Sequence, residues 1–365
     1  MDSDSADGVP QRPPSDPSGP QVGTADGTTP RAPNGHSLAT LERAVVAAIG
    51  AAGVPGLALA LLEDGVVTWE RQFGVRSIDA GPEVDGETVF EVASLAKPPV
   101  ALAALLLCEH GLLDLDLPLS VLVPEYSAWG LDPDDPLLSE ITARQVLSHS
   151  SGMGNWEPAT IGRIGFIPGT RFAYSGEGYM YLQAAMEALT GLPLAAHMRA
   201  SILGPLGMDD SNYAWRPDYS ARAARGHGPR DEGAGSRWSE ASAAFSLYTT
   251  AADYARFCRA LLDPAPLGLG PALTAQMFRP QMRIDDALSW GLGWGLALTA
   301  RGECFWQWGD LGDFQAYAIG SRAHRHALVV LTNGAGGLSV AARIATLAFS
   351  AKYATPIDWV LATGS

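Results

Sequence analysis

The sequence predicts an α/β (α+β) fold: an antiparallel sheet flanked by helices, with a mainly helical lobe inserted between the two halves of the sheet. Three observations predict it. Near the start, Gly56 to Leu62 and Val66 to Trp69 flank Glu63-Asp64-Gly65, a hairpin signal. From Phe90 to about Leu262 the apolar residues recur at helical spacing. From Trp290 to Thr332 short strand-like runs return. The sheet lobe is therefore assembled from both ends of the chain, over 37–85 and 285–354, with the helical lobe over 86–284.

The elements follow in order. Residues 1–36 are acidic and rich in Pro, Gly and Ser with almost no large apolar side chains, so they read as a disordered tail. Leu38 to Ile49 has helical spacing. In the inserted lobe, Ser94 to His110, Thr142 to Ser148, Gly178 to Thr190, Pro193 to Leu203 and Ala251 to Leu262 carry apolar residues at i, i+3 and i+4. Arg216 to Arg237 is rich in Gly, Arg and Asp and reads as an exposed loop crossing the helical lobe. Trp290 to Thr299, Phe305 to Trp308, Phe314 to Ile319 and Ala327 to Thr332 read as strands, and Leu338 to Tyr353 as a closing helix. Residues 355–365 read as a C-terminal tail.

A net charge of −15 repels phosphate backbones and anionic lipid surfaces, and no basic run overrides it, so neither nucleic acid nor membrane is an expected partner. No stretch is long and apolar enough to span a bilayer, and the acidic start lacks signal-peptide character, so a cytoplasmic protein is expected. Cys108, Cys258 and Cys304 are odd in number and widely spaced, which reads as reduced, packed thiols. Oligomeric state is not legible.

Positive charge is written as Arg at twenty-two positions and as Lys only at Lys97 and Lys352. Lys97 stands three residues after Ser94 at the start of a helical run, which puts the two on one face about 5–6 Å apart at Cβ. A serine hydroxyl is a poor nucleophile until a base takes its proton, and a lysine does so only when its pKa is lowered. Tyr174, after the turn Pro168-Gly169, is the candidate proton relay. His149 is read as a packing residue, and His324 and His326 lack a third ligand, so no metal is expected. There is no Gly-x-Ser-x-Gly elbow and no Gly-x-x-x-x-Gly-Lys loop, which disfavours elbow-type serine hydrolases and P-loop enzymes, and no cofactor is expected.

The order of motifs from about residue 38 to about 353 resembles the class C β-lactamase and penicillin-binding-protein-like serine hydrolases, a family that includes esterases, D-aminopeptidases and acyltransferases. Phe90 to Pro98 resembles the first motif, Val146 to Met153 the Leu-Leu-Ser-His-Thr-Ser-Gly-Leu stretch, and Tyr174-Ser175 the Tyr motif. Leu203 to Met208, Thr249 to Asp253, Gly291 to Trp294 and Leu331 to Gly334 continue in family order. The resemblance implies the β-lactamase-like fold with the active site between the two lobes, Ser94 as nucleophile, Lys97 as base and Tyr174 as relay.

Two departures stand out. The Tyr motif ends in Gly176 where the family has Asn, and the third motif aligns on Trp308-Gly309-Asp310-Leu311-Gly312-Asp313, with Asp310 where the family has a cation. A like charge about 4 Å from a substrate carboxylate costs about 4 kcal/mol at an effective dielectric near 20. The expectation is therefore neither a β-lactamase nor a D,D-carboxypeptidase, but a serine enzyme acting on a small ester or amide. The alternatives are transfer of the acyl group to an amine or alcohol, and a catalytically silent scaffold. Asp310, Gly176, Trp308, Trp156, Leu311 and Gly312 are the expected substrate contacts. The oxyanion donors are expected to be the N–H groups of Ser94 and Asp313. Trp290, Trp294, Trp306 and Trp308 either line an apolar pocket or form core.

Overall fold

The computed structural model describes residues 31–79, 81–228, 237–299, 302–353 and 355–363. The first part begins with helix α1 (Leu38–Ala52), strands β1 (Gly56–Glu63) and β2 (Val66–Gly74), and the two-residue strand β3 (Phe90–Glu91). Helices α2 (Lys97–Glu109), α3 (Ala143–Leu147), α4 (Gly176–Thr190) and α5 (Leu194–Met198) follow, then strand β4 (Tyr248–Thr249) and helices α6 (Ala251–Leu262) and α7 (Pro271–Met277). Strands β5 (Met282–Arg283), β6 (Leu288–Trp290), β7 (Gly295–Thr299), β8 (Gly302–Asp310), β9 (Gln315–Ser321) and β10 (His326–Thr332) precede helices α8 (Gly337–Ala348) and α9 (Thr355–Thr363).

The β1–β2 turn has Asp64 at φ +50° and Gly65 at φ +76°, the two positive values that a tight hairpin turn needs. Eight strands pair antiparallel in the order β2-β1-β10-β9-β8-β7-β6-β5. The two ends of the chain meet at β1–β10, where Leu59 lies opposite Val330. β3 and β4 form a separate two-stranded ribbon.

Alternation along the central strands assigns each residue to a face. Leu57, Leu59 and Leu61 of β1, with Leu328 and Val330 of β10, pack under Leu41 and Val45 of α1 and Val340 and Ile344 of α8. Ala58, Ala60, Val329 and Leu331 face the inserted lobe, where α2 is buried from Val100 to Leu107. A helix apolar all round has no solvent face to keep, which is why α2 runs through the interior. Each fully buried Leu or Val here contributes about 1.5–3 kcal/mol.

Several expectations shift. The expected tail over 1–36 is ordered from Arg31: Ala32 is buried and Asn34 N–H donates to Ala348 O (3.1 Å). Residues 1–30 lie outside the described chain. The expected C-terminal tail is helix α9, whose Ile357 and Val360 are buried and whose Trp359 ring lies 6.0–6.2 Å from Phe172, Trp306 and Trp308. A nine-residue helix is too short to show much periodicity. The segment after Arg216 is only partly the exposed loop expected: Tyr219 is buried, Ala223 bridges Val89 and His227 bridges Gly334, tying the segment to both lobes. Its residues 229–236 lie outside the described chain. Among the described residues no helix is long and apolar enough to cross a membrane.

Candidate active site

Ser94 sits on an elbow between strand and helix. β3 ends at Glu91, Ala93 takes φ +48°, and a 3₁₀ turn over Ala93–Ala96 leads into α2. Pro98 and Pro99 begin α2, where a missing N–H costs nothing because first-turn donors have no helical acceptor. A non-glycine residue with positive φ just before Ser94 is backbone strain stored next to that serine. The Ser94 N–H lies in the 3₁₀ turn that precedes α2, at the N-terminal end of the helical run where donors can point at an anion.

Lys97 is 1% exposed, and its Nζ donates to Ser94 Oγ (2.9 Å) and to Ala244 O (2.8 Å). Both partners are neutral oxygens. Burial without a carboxylate pulls the ammonium from 10.5 down to about 7. At neutral pH a large fraction of Lys97 is free amine, with its lone pair within reach of the serine proton.

Tyr174 hydrogen-bonds with Ser94 and its hydroxyl accepts from Gln307 Nε2 (2.8 Å). Burial raises its pKa above the usual phenol value, so it stands as a neutral phenol rather than a phenolate. Its ring is clamped by His149 at 4.1 Å and Trp308 at 4.6 Å, and Lys97 Nζ lies 4.9 Å from its centroid. His149 is buried, and its Nδ1 accepts from Ser175 N (3.1 Å), which leaves the proton on Nε2. Desolvation first, then the Lys97 charge, hold its pKa well below 6.5. It packs as a neutral ring.

Strand β8 forms the opposite wall. Trp306 and Trp308 face the α8–α9 side, so Gln307 and Gly309 face the serine. Gln307 Nε2 also donates to Ser94 O (3.1 Å). A Cβ on Gly309 would lie 2.1 Å from Val92 O, so only glycine lets the strand approach this closely. Leu311 N–H donates to Phe314 O (3.0 Å) across the β8–β9 turn. Because strand N–H groups alternate, those of Gln307 and Gly309 also face β9, and that of Asp310 faces the other edge. The β7 pairing ends at Trp306, so that edge is open beside the elbow.

The third motif is thus displaced from the sequence expectation. The residue occupying the cation position is Gln307, not Asp310. The Asp310 side chain lies on the far face with its carboxylate accepting from Gly312 N–H (2.6 Å) and Gln315 Nε2 (2.9 Å), capping its own turn. Gly312 turns the chain at φ +86°. Asp313 lies beyond that turn, against Gly226 and Gly228, so strand parity aims the Asp310 N–H, and not that of Asp313, at the open edge beside Ser94. Leu311 is half-buried on the cleft side. Trp290, Trp294, Trp306 and Trp308 are 0–2% exposed and form core, with Trp308 supporting the Tyr174 ring instead of substrate.

Gly176 lies at the N-terminus of α4, and its N–H donates to Asn155 Oδ1 (2.9 Å). A Cβ there would fall 2.1 Å from the Trp156 ring, so the indole fills the space of the missing Asn. Glu177 is buried and receives Trp156 N (3.1 Å) and Gly162 N (3.0 Å), fixing this loop. Gln307, Glu177 and the Ala244 carbonyl were not signalled by any motif. A glutamine set in Trp306-Gln307-Trp308-Gly309 was the available signal for the first of these. Among the described residues no three His, Cys, Asp or Glu side chains gather where a metal could sit. His326 instead bonds Tyr353 (3.0 Å).

The Beta-lactamase family profile matches residues 41–352. The chain belongs to the β-lactamase family. It is similar to Esterase EstB of Burkholderia gladioli, 33% identical over 177 residues that cover 41% of this chain and 44% of that protein. It is also similar to Lovastatin esterase of Penicillium rubens (30% over 250 residues, 56% and 62%) and Acyltransferase calJ of Penicillium decumbens (27% over 244 residues, 55% and 58%). The match therefore spans about half to three-fifths of these relatives' own lengths. A class C β-lactamase superposes with a TM-score of 0.73 at 20% identity, covering 84% of this chain and 94% of that one. The octameric penicillin-binding protein homologue from Pyrococcus abyssi does so with a TM-score of 0.73 at 21% identity, covering 90% and 78%. At that identity the superpositions show the fold, which is the β-lactamase fold expected. As a β-lactamase-family member the chain has esterases and acyltransferases among its relatives.

Proposed function

We propose that this protein is a serine acyl-transfer enzyme that forms an acyl-enzyme at Ser94 and hydrolyses a small ester or amide. The observation that carries the reading is Lys97 Nζ, buried, shifted to about 7 and 2.9 Å from Ser94 Oγ. Lys97 takes the Ser94 proton as Oγ attacks the carbonyl. The developing oxyanion is met by the N–H groups of Ser94 and Asp310. Tyr174, neutral and held by Gln307, gives its proton to the leaving oxygen or nitrogen and recovers one from Lys97. In the second half water repeats the cycle.

Two features favour a neutral substrate. Gln307 offers an uncharged amide where a carboxylate-binding cation is expected, and Lys97 is committed to Ser94 and Ala244. β-Lactams and D-Ala-D-Ala peptides, whose carboxylates need such a cation, are therefore proposed to be poor substrates. The earlier reason, repulsion by Asp310, falls away because that carboxylate serves its own turn. Transfer to an amine or alcohol is the second reading, favoured by the half-buried rings of Trp156 and Phe245 beside the cleft. The intact contacts among Ser94, Lys97 and Tyr174 speak against a silent scaffold.

The test is nitrocefin and p-nitrophenyl acetate turnover by wild type and Gln307→Lys. Ester turnover with little nitrocefin hydrolysis, the latter rising in the variant, supports the reading. Rapid nitrocefin hydrolysis by wild type overturns the proposed selectivity.

A further inference from the structure

Resting on the acyl-enzyme reading, we propose that Trp156, with Phe245 beside it, is the acyl-selectivity wall, and that it selects esters with a flat aromatic acyl group over acetyl esters. Position 176 is two residues from Tyr174, and the Trp156 ring edge occupies the space a side chain there would take, with Cη2 and Cζ3 2.1 and 2.2 Å from a would-be Cβ. The ring therefore stands beside the segment that carries Tyr174, which hydrogen-bonds with Ser94, so an acyl group on Ser94 that reaches this side meets an indole. Phe245 directly follows Ala244, whose carbonyl accepts from Lys97 Nζ at 2.8 Å.

The Trp156 and Phe245 rings lie 5.4 Å apart at 76°, an edge-to-face pair, and both are half-buried. Trp238 continues the row 4.9 Å from Phe245, and Trp129, 41% exposed, stands 6.3 Å from Trp156. Aromatic rings at such spacings take a further flat ring by offset stacking or edge-to-face contact. An amide at position 176 would have offered hydrogen bonds to a polar acyl chain, and that option is gone.

The wall is held in place. Trp156 adopts φ +64°, a left-handed conformation costly for a bulky residue. The buried Glu177 carboxylate compensates by accepting Trp156 N (3.1 Å) and Gly162 N (3.0 Å), and Asn155 ties the loop to Gly176 N (2.9 Å). A loop whose amides are held by a buried charge keeps its ring oriented, as a specificity element must.

The test compares kcat/KM for p-nitrophenyl benzoate and p-nitrophenyl acetate, whose common leaving group cancels from the ratio. Trp156→Ala in the full-length protein is expected to lower the benzoate-to-acetate ratio about 3- to 10-fold, the range of one lost aromatic contact. Trp156→Phe keeps most of it, and Phe245→Ala gives a smaller loss. These two variants carry the comparison if Trp156→Ala does not fold. A ratio that rises shows the indole blocking aromatic acyl groups, and an unmoved ratio shows it bystanding; either overturns the proposal. Intact mass separates the two levels of failure. A wild type that releases p-nitrophenolate from neither ester and takes no fluorophosphonate on Ser94 refutes the proposed function itself, whereas a labelled Ser94 with an unmoved or raised ratio refutes the selectivity alone.

Discussion

Replacing Lys97 with Met keeps the length of the side chain and removes its proton, which separates what the amine does for catalysis from what its burial costs in stability. The fall of its pKa from 10.5 to about 7 corresponds to ~5 kcal/mol carried by the charged form, at about 1.4 kcal/mol per pH unit. Between pH about 7 and 10.5 the unfolded chain holds this proton and the folded one does not. Wild-type stability therefore rises with pH through that window, and the penalty is fully present below about 7. Lys97→Met is expected to be more stable than wild type by ~2–5 kcal/mol at about pH 6.5, the lower end allowing for an unpaired Ala244 carbonyl. The advantage should fade toward pH 10.5. Urea unfolding at several pH values measures it. Acylation by p-nitrophenyl acetate should rise with pH in wild type with a midpoint near 7, and fall ~10²–10⁴-fold in the variant. A wild-type profile flat from pH 6 to 9, or a variant less stable than wild type at acid pH, would refute the assignment of Lys97 as a desolvated base.

Three more predictions probe the surroundings. Tyr174→Phe should slow turnover of an alkyl ester or anilide by ~10²–10⁴ but a p-nitrophenyl ester much less, because nitrophenolate leaves without a proton; a leaving-group series reads this directly. Gly309→Ala puts a Cβ 2.1 Å from Val92 O, so it should move β8 off the elbow and cut kcat by at least the ~10²–10³ of one lost oxyanion donor while KM changes little. Trp359→Ala removes the ring that packs on Trp306 and Trp308 and should cost about 1–3 kcal/mol of stability, since the residue is half-buried, seen as a lower urea midpoint at unchanged slope.

The sheet and the lobe it encloses were legible because β1 and β10 carry unbroken apolar runs and Glu63-Asp64-Gly65 is a turn written in residue types. Ser94 and Lys97 were legible as a spacing, strengthened by the scarcity of lysine. What escaped depends on register. A strand that ends in a turn reads the same whether Gln307 or Asp310 faces the serine, and only the pairing of Leu311 with Phe314 fixes the parity. Helix α9 escaped because nine residues bury only three or four contacts. Trp156 was expected as a substrate contact, but the conformation that positions it was not legible, since a non-glycine residue in a left-handed conformation has no signature in the sequence. The collision of its ring with any side chain at position 176 belongs to tertiary structure.

The central claim is a covalent acyl group on Ser94. Intact mass and peptide mapping after incubation with a fluorophosphonate or an activated ester test it most directly, on wild type, Ser94→Ala and Lys97→Met. One adduct per chain is expected, located on Ser94, absent from Ser94→Ala and forming far more slowly in Lys97→Met. An unmodified wild type, or an adduct that persists in Ser94→Ala, would contradict it.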